Sequence, residues 1–110
     1  MVDERLMDPF DICVAYVSWE SGGKRRPVLL LAKEDDYAAA FRITSRFDSK
    51  SEAVKAQYLE ILDWQETGLT KLSYIDTITS VKVPIAHISL PPIGKLTKND
   101  KFRLIEFLAE

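Results

Sequence analysis

Apolar and polar positions alternate along this chain in short runs that are typical of β-strands. From Asp11 to Trp19 almost every position is apolar or aromatic, which predicts a strand buried on both faces. A second apolar run follows Pro27, and a proline has no N–H for a sheet ladder, so it is expected at a strand's first residue or at an edge. Tyr37 to Thr44 alternates more regularly and predicts a half-buried strand that ends on polar residues.

The middle of the chain predicts further strands on either side of a polar loop. Residues 58–64 and 73–83 are the apolar segments, and the second is expected to bend near residues 79–80. The polar segment 45–57 predicts a long loop with a turn or two of helix at most. Prolines from position 84 onward limit the next segments to short edge pieces.

One helix is predicted at the C-terminal end. Thr97 and Asp100 resemble a capping box with aspartate in place of glutamate. The apolar stripe behind them contains Phe102, Ile105 and Leu108, and it is expected to pack on the strands or at a dimer seam. Many short strands followed by one helix predict a small, mainly β barrel with a C-terminal α-helix packed on it.

Composition limits the class of protein. The 110 residues are predicted to form one domain, residues 1–110, because this length supports one core but not two. No apolar run approaches the length of a membrane span, and the acidic N-terminus leads into no hydrophobic segment, so neither a membrane protein nor a secretory signal is expected. A single cysteine, Cys13, excludes a disulfide within the chain and favours a reducing, cytoplasmic location.

Basic charge is concentrated at one place in the sequence. The net charge of −2 gives no global attraction to nucleic acid, so any such binding must rest on a local surface. Arg26 precedes a proline, which favours an extended backbone, and its planar guanidinium suits the recognition of a phosphate. The alternative is a solvated basic turn before a core strand. Alternation of side chains along a strand predicts that Arg25 and Arg26 point to opposite faces.

Residues for metal or histidine chemistry are scarce. His87 is the only histidine, so no histidine pair is available for acid–base catalysis, and it is expected to be structural. One cysteine and no carboxylate cluster with ligand spacing predict that no metal and no cofactor is bound. Trp19 and Trp64 are candidates for stacking on bases, although packing in a core or a dimer is the more common use of tryptophan.

Several motifs occur together in an order that is specific. They are Lys24-Arg25-Arg26-Pro27-Val28-Leu29-Leu30-Leu31, then Ile43-Thr44-Ser45, then Asp63-Trp64 through Gly68-Leu69 to Ser73-Tyr74-Ile75-Asp76, and last Ile93-Gly94-Lys95-Leu96-Thr97. From about Asp11 to its end the chain resembles MazF/PemK-type toxins. The resemblance implies an SH3-like barrel, a homodimer, sequence-selective and metal-independent cleavage of single-stranded RNA, and an antitoxin protein as partner.

The same resemblance suggests which residues act. Arg26 matches the family's arginine before proline and Thr44 its threonine at the end of the third strand, so catalysis is expected there. Asp76 is a candidate to orient the 2′-hydroxyl or to accept its proton. Substrate contacts are expected from Lys24, Arg25, Ser45, Arg46 and Ser73. The alternatives are that Thr44 caps a strand end and that Asp76 stabilises a bend or pairs with Lys82.

Two departures from the family pattern matter. Some members begin the first strand with Gly-Asp, whereas this chain has Phe10-Asp11, a change expected to cost only turn flexibility. PemK-like members of one branch place an arginine and an aspartate in the strand after the serine, whereas residues 73–77 contain Asp76 and no arginine. The missing arginine leaves an alternative open: a non-catalytic module on the same barrel that binds RNA or protein, or that inhibits a topoisomerase.

Overall fold

The computed structural model describes residues 7–110, so the acidic N-terminus lies outside the described residues. The elements, in chain order, are β1 (Asp11–Trp19), β2 (Gly22–Lys33), β3 (Tyr37–Thr44), α1 (Glu52–Lys55), β4 (Tyr58–Glu60), β5 (Tyr74–Pro84), β6 (Ile88–Lys95) and α2 (Lys98–Ala109). All strand pairs are antiparallel, and the sheet order is β4-β5-β3-β2-β1-β6. The prediction of a mainly β chain that ends in a helix is therefore confirmed.

Strand β2 begins five residues before the predicted position, at Gly22 rather than Pro27. The two-residue connection to β1 explains the difference, since Trp19 pairs with Gly22 and the hairpin continues from there. Pro27 pairs with β1, and the pairing of β2 with β3 starts one residue later, at Val28. The proline thus lies where β2 has a single neighbour, which is consistent with the edge position expected of it.

The later strands differ from the prediction in length. β4 has only three residues, and residues 64–66 form a 3-10 helix instead of continuing it. β5 is one strand whose register against β3 shifts between residues 76 and 81, which confirms the predicted bend. Residues 85–87 form a second 3-10 helix, and β6 accommodates its prolines through a register shift at the sheet edge.

The sheet curls so that β5 and β6 approach each other. β5 and β6 are separated by three strands in the sheet order, yet only Ile85–His87 connects them. In a flat sheet that separation would be roughly 19 Å, whereas three 3-10 residues rise about 6 Å. Val83 of β5 and Ile88 of β6 accordingly belong to one core cluster. The sheet curls around this cluster without closing into a barrel.

Each face of the curled sheet has its own core. The inner face, on which Ala15, Val28 and Ala40 lie, packs around the cluster just described. The outer face carries Ile12, Leu29, Phe41 and other side chains against which α2 packs, and this forms the second cluster. β1 is buried on both faces over its first half, as predicted, but β3 is also buried on both, so the prediction of a half-buried β3 is wrong. β3 is buried on both faces because each face of the sheet packs against its own core.

Helix α2 begins as predicted but packs through a different stripe. Thr97 accepts a hydrogen bond from the backbone N–H of Asp100 at 3.3 Å, while the Asp100 carboxylate turns away to accept from the N–H groups of residues 62 and 63. Leu104 is fully buried and Phe107 packs beside it. The prediction that α2 packs on the strands through Phe102, Ile105 and Leu108 is wrong, because these side chains are 63%, 51% and 50% exposed.

The residue before β1 is strained. Phe10 has φ of 71°, in the left-handed region that glycine adopts at little cost and other residues do not. Its N–H donates to the carbonyl of Leu30 at 2.7 Å and its carbonyl accepts from Leu96 at 2.9 Å, so the conformation is held from two sides. A phenylalanine at this position therefore costs backbone strain as well as turn flexibility, contrary to the expectation.

Candidate functional site

Four strands bring charged and polar side chains together on the inner face of the sheet. Arg42 of β3 pairs directly with Asp76 of β5, and Asp76 in turn pairs with Tyr58 of β4. Arg26 of β2 lies two residues from Val28, which is the partner of Arg42. Because cross-strand partners share a face, the side chains of Arg26, Arg42, Tyr58 and Asp76 converge. These four residues are called the inner-face cluster below.

Asp76 is the buried carboxylate of this cluster. It is only 9% exposed, and its Oδ2 lies 4.0 Å from Nε of Arg42. Its Oδ1 accepts a hydrogen bond of 3.0 Å from the N–H of Ile78, which helps hold the bend in β5. The predicted pairing with Lys82 is wrong, because the Lys82 ammonium lies over the ring of Tyr37, 5.0 Å from its centroid.

Arg26 contributes a guanidinium with an unsatisfied donor. Burial, followed by the positive charge of Arg42, lowers the pKa of Arg26, while Tyr58 and Asp76 oppose this effect. Its Nε is buried and has no hydrogen-bond partner within the described chain. Buried donors are nearly always paired, and leaving one unpaired costs about 1–3 kcal/mol. An unpaired guanidinium donor beside a second arginine is an arrangement suited to an anionic ligand.

Tyr58 supplies a hydroxyl beside the carboxylate. Burial raises the pKa of Tyr58, and the negative charge of Asp76 and a hydrogen bond to its side chain raise it further. The phenol therefore keeps its proton at neutral pH. It can donate a hydrogen bond to a carboxylate or to a phosphate oxygen.

Thr44 lies two residues beyond Arg42 on the same face of β3. Its Oγ1 accepts a hydrogen bond of 3.0 Å from the N–H of Arg46, so the predicted alternative of a threonine that caps the strand end is confirmed. This contact uses the oxygen as acceptor and leaves the hydroxyl hydrogen available to donate. The structural contact and a role towards a ligand are thus compatible.

The predicted substrate contacts fall into two groups. Ser45 and Arg46 are exposed next to Thr44, and the charge of Arg46 acts on Arg26. Lys24 is exposed on β2 near the tip of the β1–β2 hairpin. Two others do not join the cluster. Arg25 donates to the Ser89 hydroxyl from the opposite face of β2, and Ser73 is buried, donating to the carbonyl of Lys71 at 2.9 Å.

The remaining candidate side chains lie away from the cluster. His87 makes an edge-to-face contact with Tyr16, with centroids 5.8 Å apart. Trp19 is 49% exposed at the end of β1, and Trp64 packs against the outer core. Cys13 is fully buried, as expected of a core cysteine, and burial together with the charge of nearby Asp11 raises its pKa to about 11.

Sequence reasoning missed Arg42 and Tyr58 as site residues. A signal for Arg42 was present, because it interrupts a face of β3 that otherwise carries Ala38 and Ala40. Tyr58 looked like the first apolar residue of a strand, and nothing in the sequence placed it opposite Asp76. Both residues enter the site through strand register, which an isolated sequence does not give.

Residues 7–110 contain neither a metal-binding group of side chains nor a membrane-spanning helix. They contain no set of three or more His, Cys, Asp or Glu side chains that could hold a metal ion. No helix in this part of the chain has the length and apolar character that crossing a bilayer requires.

No protein-family model matches this sequence, and no curated protein matches it either. The functional interpretation therefore rests on the inner-face cluster and on the sequence motifs.

Proposed function

We propose that this chain is the toxin of a type II toxin–antitoxin pair, an endoribonuclease that cleaves single-stranded RNA sequence-selectively and without a metal. The observation that carries the proposal is the inner-face cluster, in which two arginines flank a buried carboxylate and one guanidinium donor of Arg26 is unpaired. Cleavage inhibits translation and growth by destroying mRNA.

Residues in and beside the cluster have proposed roles in the cleavage of RNA. The 2′-hydroxyl of the RNA attacks the adjacent phosphorus atom and the bond from phosphorus to the 5′-oxygen breaks, which gives a 2′,3′-cyclic phosphate and a 5′-hydroxyl. The protein must accept the proton of the 2′-hydroxyl and stabilise the negative charge that develops, while the leaving 5′-oxygen takes up a proton from water. Arg26 and Arg42 donate to the non-bridging oxygens, because prepositioned donors give the largest stabilisation of such a transition state. Asp76 orients the 2′-hydroxyl and accepts its proton, and Thr44 donates to the phosphate.

Arg42 fills the place of the arginine that the family resemblance requires. That arginine was expected in the strand of Asp76, whereas here an arginine faces Asp76 from the neighbouring strand. Nε of Arg42 lies 4.0 Å from Oδ2 of Asp76, so a guanidinium is next to the carboxylate although it comes from another strand. This proximity supports the proposal of an active enzyme.

Further parts of the proposal concern assembly and partners. The curled sheet is proposed to be an SH3-like barrel, and the exposed stripe Phe102, Ile105 and Leu108 on α2 is proposed to form the seam of a homodimer. An antitoxin protein is proposed to cover the inner-face cluster until the toxin is released in the cytoplasm. These three apolar side chains are at least half exposed to solvent, which supports the proposed dimer.

A non-catalytic binding module on the same fold is the second candidate. It is favoured by the contacts of Asp76, whose carboxylate is engaged by Arg42, by Tyr58 and by the Ile78 N–H. A carboxylate whose oxygens already face these partners is less accessible to a substrate hydroxyl. The module would bind RNA or a protein through the same arginines, or inhibit a topoisomerase.

The test is incubation of the purified protein with a long RNA in the presence of a chelator. We expect discrete cleavage, and Arg26→Ala should reduce its rate by roughly a hundred- to a thousandfold, the typical loss for one prepositioned donor. Arg25→Ala is the matched control, since it removes the same charge from the opposite face. Binding without cleavage by the unchanged protein would favour the second candidate, and cleavage that survives Arg26→Ala within a few-fold would place the site elsewhere.

A further inference from the structure

Tyr58 of the inner-face cluster and two neighbouring aromatic rings lie together outside both cores. Phe47 stacks on Tyr74 with ring centroids 4.2 Å apart and 9° between the ring planes. Tyr58 lies 6.4 Å from Phe47 at an angle of 49°. None of these rings belongs to either hydrophobic cluster of the described chain. Phe47 comes from the polar loop between β3 and α1, where no core requires an aromatic side chain.

The rings are joined to the proposed reacting groups through strand register. Tyr74 is the cross-strand partner of Thr44, and Tyr58 is the partner of Asp76 and hydrogen-bonded to its side chain. Cross-strand partners lie about 4.5–5.5 Å apart, so the Phe47–Tyr74 stack begins one side chain away from the site for the phosphate. A nucleotide bound there has a base within reach of Phe47.

A cation currently occupies the position that a base would take. Nζ of Lys55 lies over the Phe47 ring, 5.1 Å from its centroid, and it is also 3.7 Å from the carboxylate of Glu52. The Glu52 side chain is 94% exposed, so this ion pair contributes little. The Lys55 side chain is 23% exposed, and a cation–π contact of this kind is no stronger than the stacking of a nucleobase on an aromatic ring. A base can therefore displace the ammonium, which is then free to approach a phosphate.

We propose that Phe47, supported by Tyr74, is the subsite for one unpaired nucleobase next to the cleaved bond. The base stacks on the face of Phe47 opposite Tyr74, and Lys55 moves aside. This inference rests on the proposed function, because it takes RNA to be the substrate. Stacking tolerates every base, so the subsite supplies affinity and fixes the position of the phosphate on Arg26 without selecting a sequence.

The test uses Phe47→Leu, which keeps apolar volume but removes the ring, and Phe47→Trp, which restores one. Tyr37→Leu is the matched control, since Tyr37 also has a lysine over its ring but lies at the opposite end of β3 from Thr44. The probe is a short single-stranded RNA around the mapped cleavage site, with 2-aminopurine beside the cleaved bond and a 2′-deoxy nucleotide that blocks cleavage. Affinity is measured as Kd. Stacking of the base is measured from quenching of the 2-aminopurine fluorescence.

We expect Phe47→Leu to raise Kd roughly five- to 150-fold and to abolish quenching, while Phe47→Trp and Tyr37→Leu retain both. An abasic nucleotide in place of 2-aminopurine should make the Kd of the unchanged protein and of Phe47→Leu equal. If the unchanged protein cleaves RNA but Phe47→Leu binds and quenches normally, the subsite is wrong and the proposed function stands. If no RNA is cleaved, the proposed function fails, and the same quenching measured on a mixed-sequence RNA decides the subsite alone.

Discussion

Removal of Arg42 should separate activity from stability in this protein. Nε of Arg42 lies 4.0 Å from Oδ2 of Asp76, and the two side chains are 29% and 12% exposed. An exposed ion pair contributes at most about 1 kcal/mol, and this pair is partly buried but lies at 4.0 Å, so its loss is expected to cost about 1–2 kcal/mol. In Arg42→Ala, Asp76 keeps the Ile78 N–H and the nearby charge of Arg26. We therefore expect Tm to fall by no more than about 16 °C.

The effect on cleavage should be much larger. Arg42 is proposed to donate to the phosphate as its charge develops, and loss of such a donor costs about 2.7–4 kcal/mol, or a hundred- to a thousandfold in rate. Arg42→Lys keeps the positive charge but not the planar fork of donors, so an intermediate loss is expected. Arg25→Ala, which removes one charge from the other face, should stay within a few-fold of the unchanged protein.

The assay is single-turnover cleavage of a fluorescent RNA by each variant, with Tm measured on the same samples. Single turnover isolates the chemical step from product release. A folded Arg42→Ala that cleaves at nearly the normal rate would refute the role given to Arg42, and the strand arginine of the family would then have no substitute here. A large loss of Tm would instead show that the Arg42–Asp76 pair has a mainly structural role.

Two further predictions concern stability and reactivity. Asp100→Ala should destabilise the fold by about 3–5 kcal/mol in urea unfolding, because the carboxylate is 1% exposed, pairs with Arg103 at 2.7 Å and accepts two backbone N–H groups. Asp63→Ala, in the loop whose N–H groups Asp100 accepts, should cost less. The Cys13 thiol should react with Ellman's reagent at pH 8 at least about 100-fold more slowly in the native than in the unfolded protein, because its pKa of about 11 depletes the thiolate; equal rates would contradict the buried position.

The sequence predicts the fold correctly where a pattern of apolar and polar residues fits only one kind of structural element. The apolar run predicts β1, alternation predicts β3, and the Thr97 cap predicts the start of α2. Each of these elements lies where it was predicted. The apolar residues of α2 did not reveal which stripe packs, because the helix is apolar on more than one side. Burial of Leu104 rather than Ile105 depends on how the curled sheet presents its outer face.

The candidate site was predictable only in part. Arg26, Thr44 and Asp76 were chosen from motif order, and the structure gathers Arg26 and Asp76 in one cluster with Thr44 at its margin. Arg42 and Tyr58 could not be assigned, since strand order and register decide their position. Arg25, by contrast, lies on the opposite face of β2 from Arg26, as alternation predicted.

The nucleophile is the central claim of this account, and one substituted RNA tests it most directly. A substrate with a single 2′-deoxy nucleotide just before the cleaved bond should bind nearly as well as the all-ribose RNA and should resist cleavage, in the presence or absence of EDTA. The all-ribose RNA should be cut equally with EDTA, leaving a 2′,3′-cyclic phosphate and a 5′-hydroxyl. Normal cleavage of the 2′-deoxy substrate would contradict the account, because water or another nucleophile would then attack the phosphate.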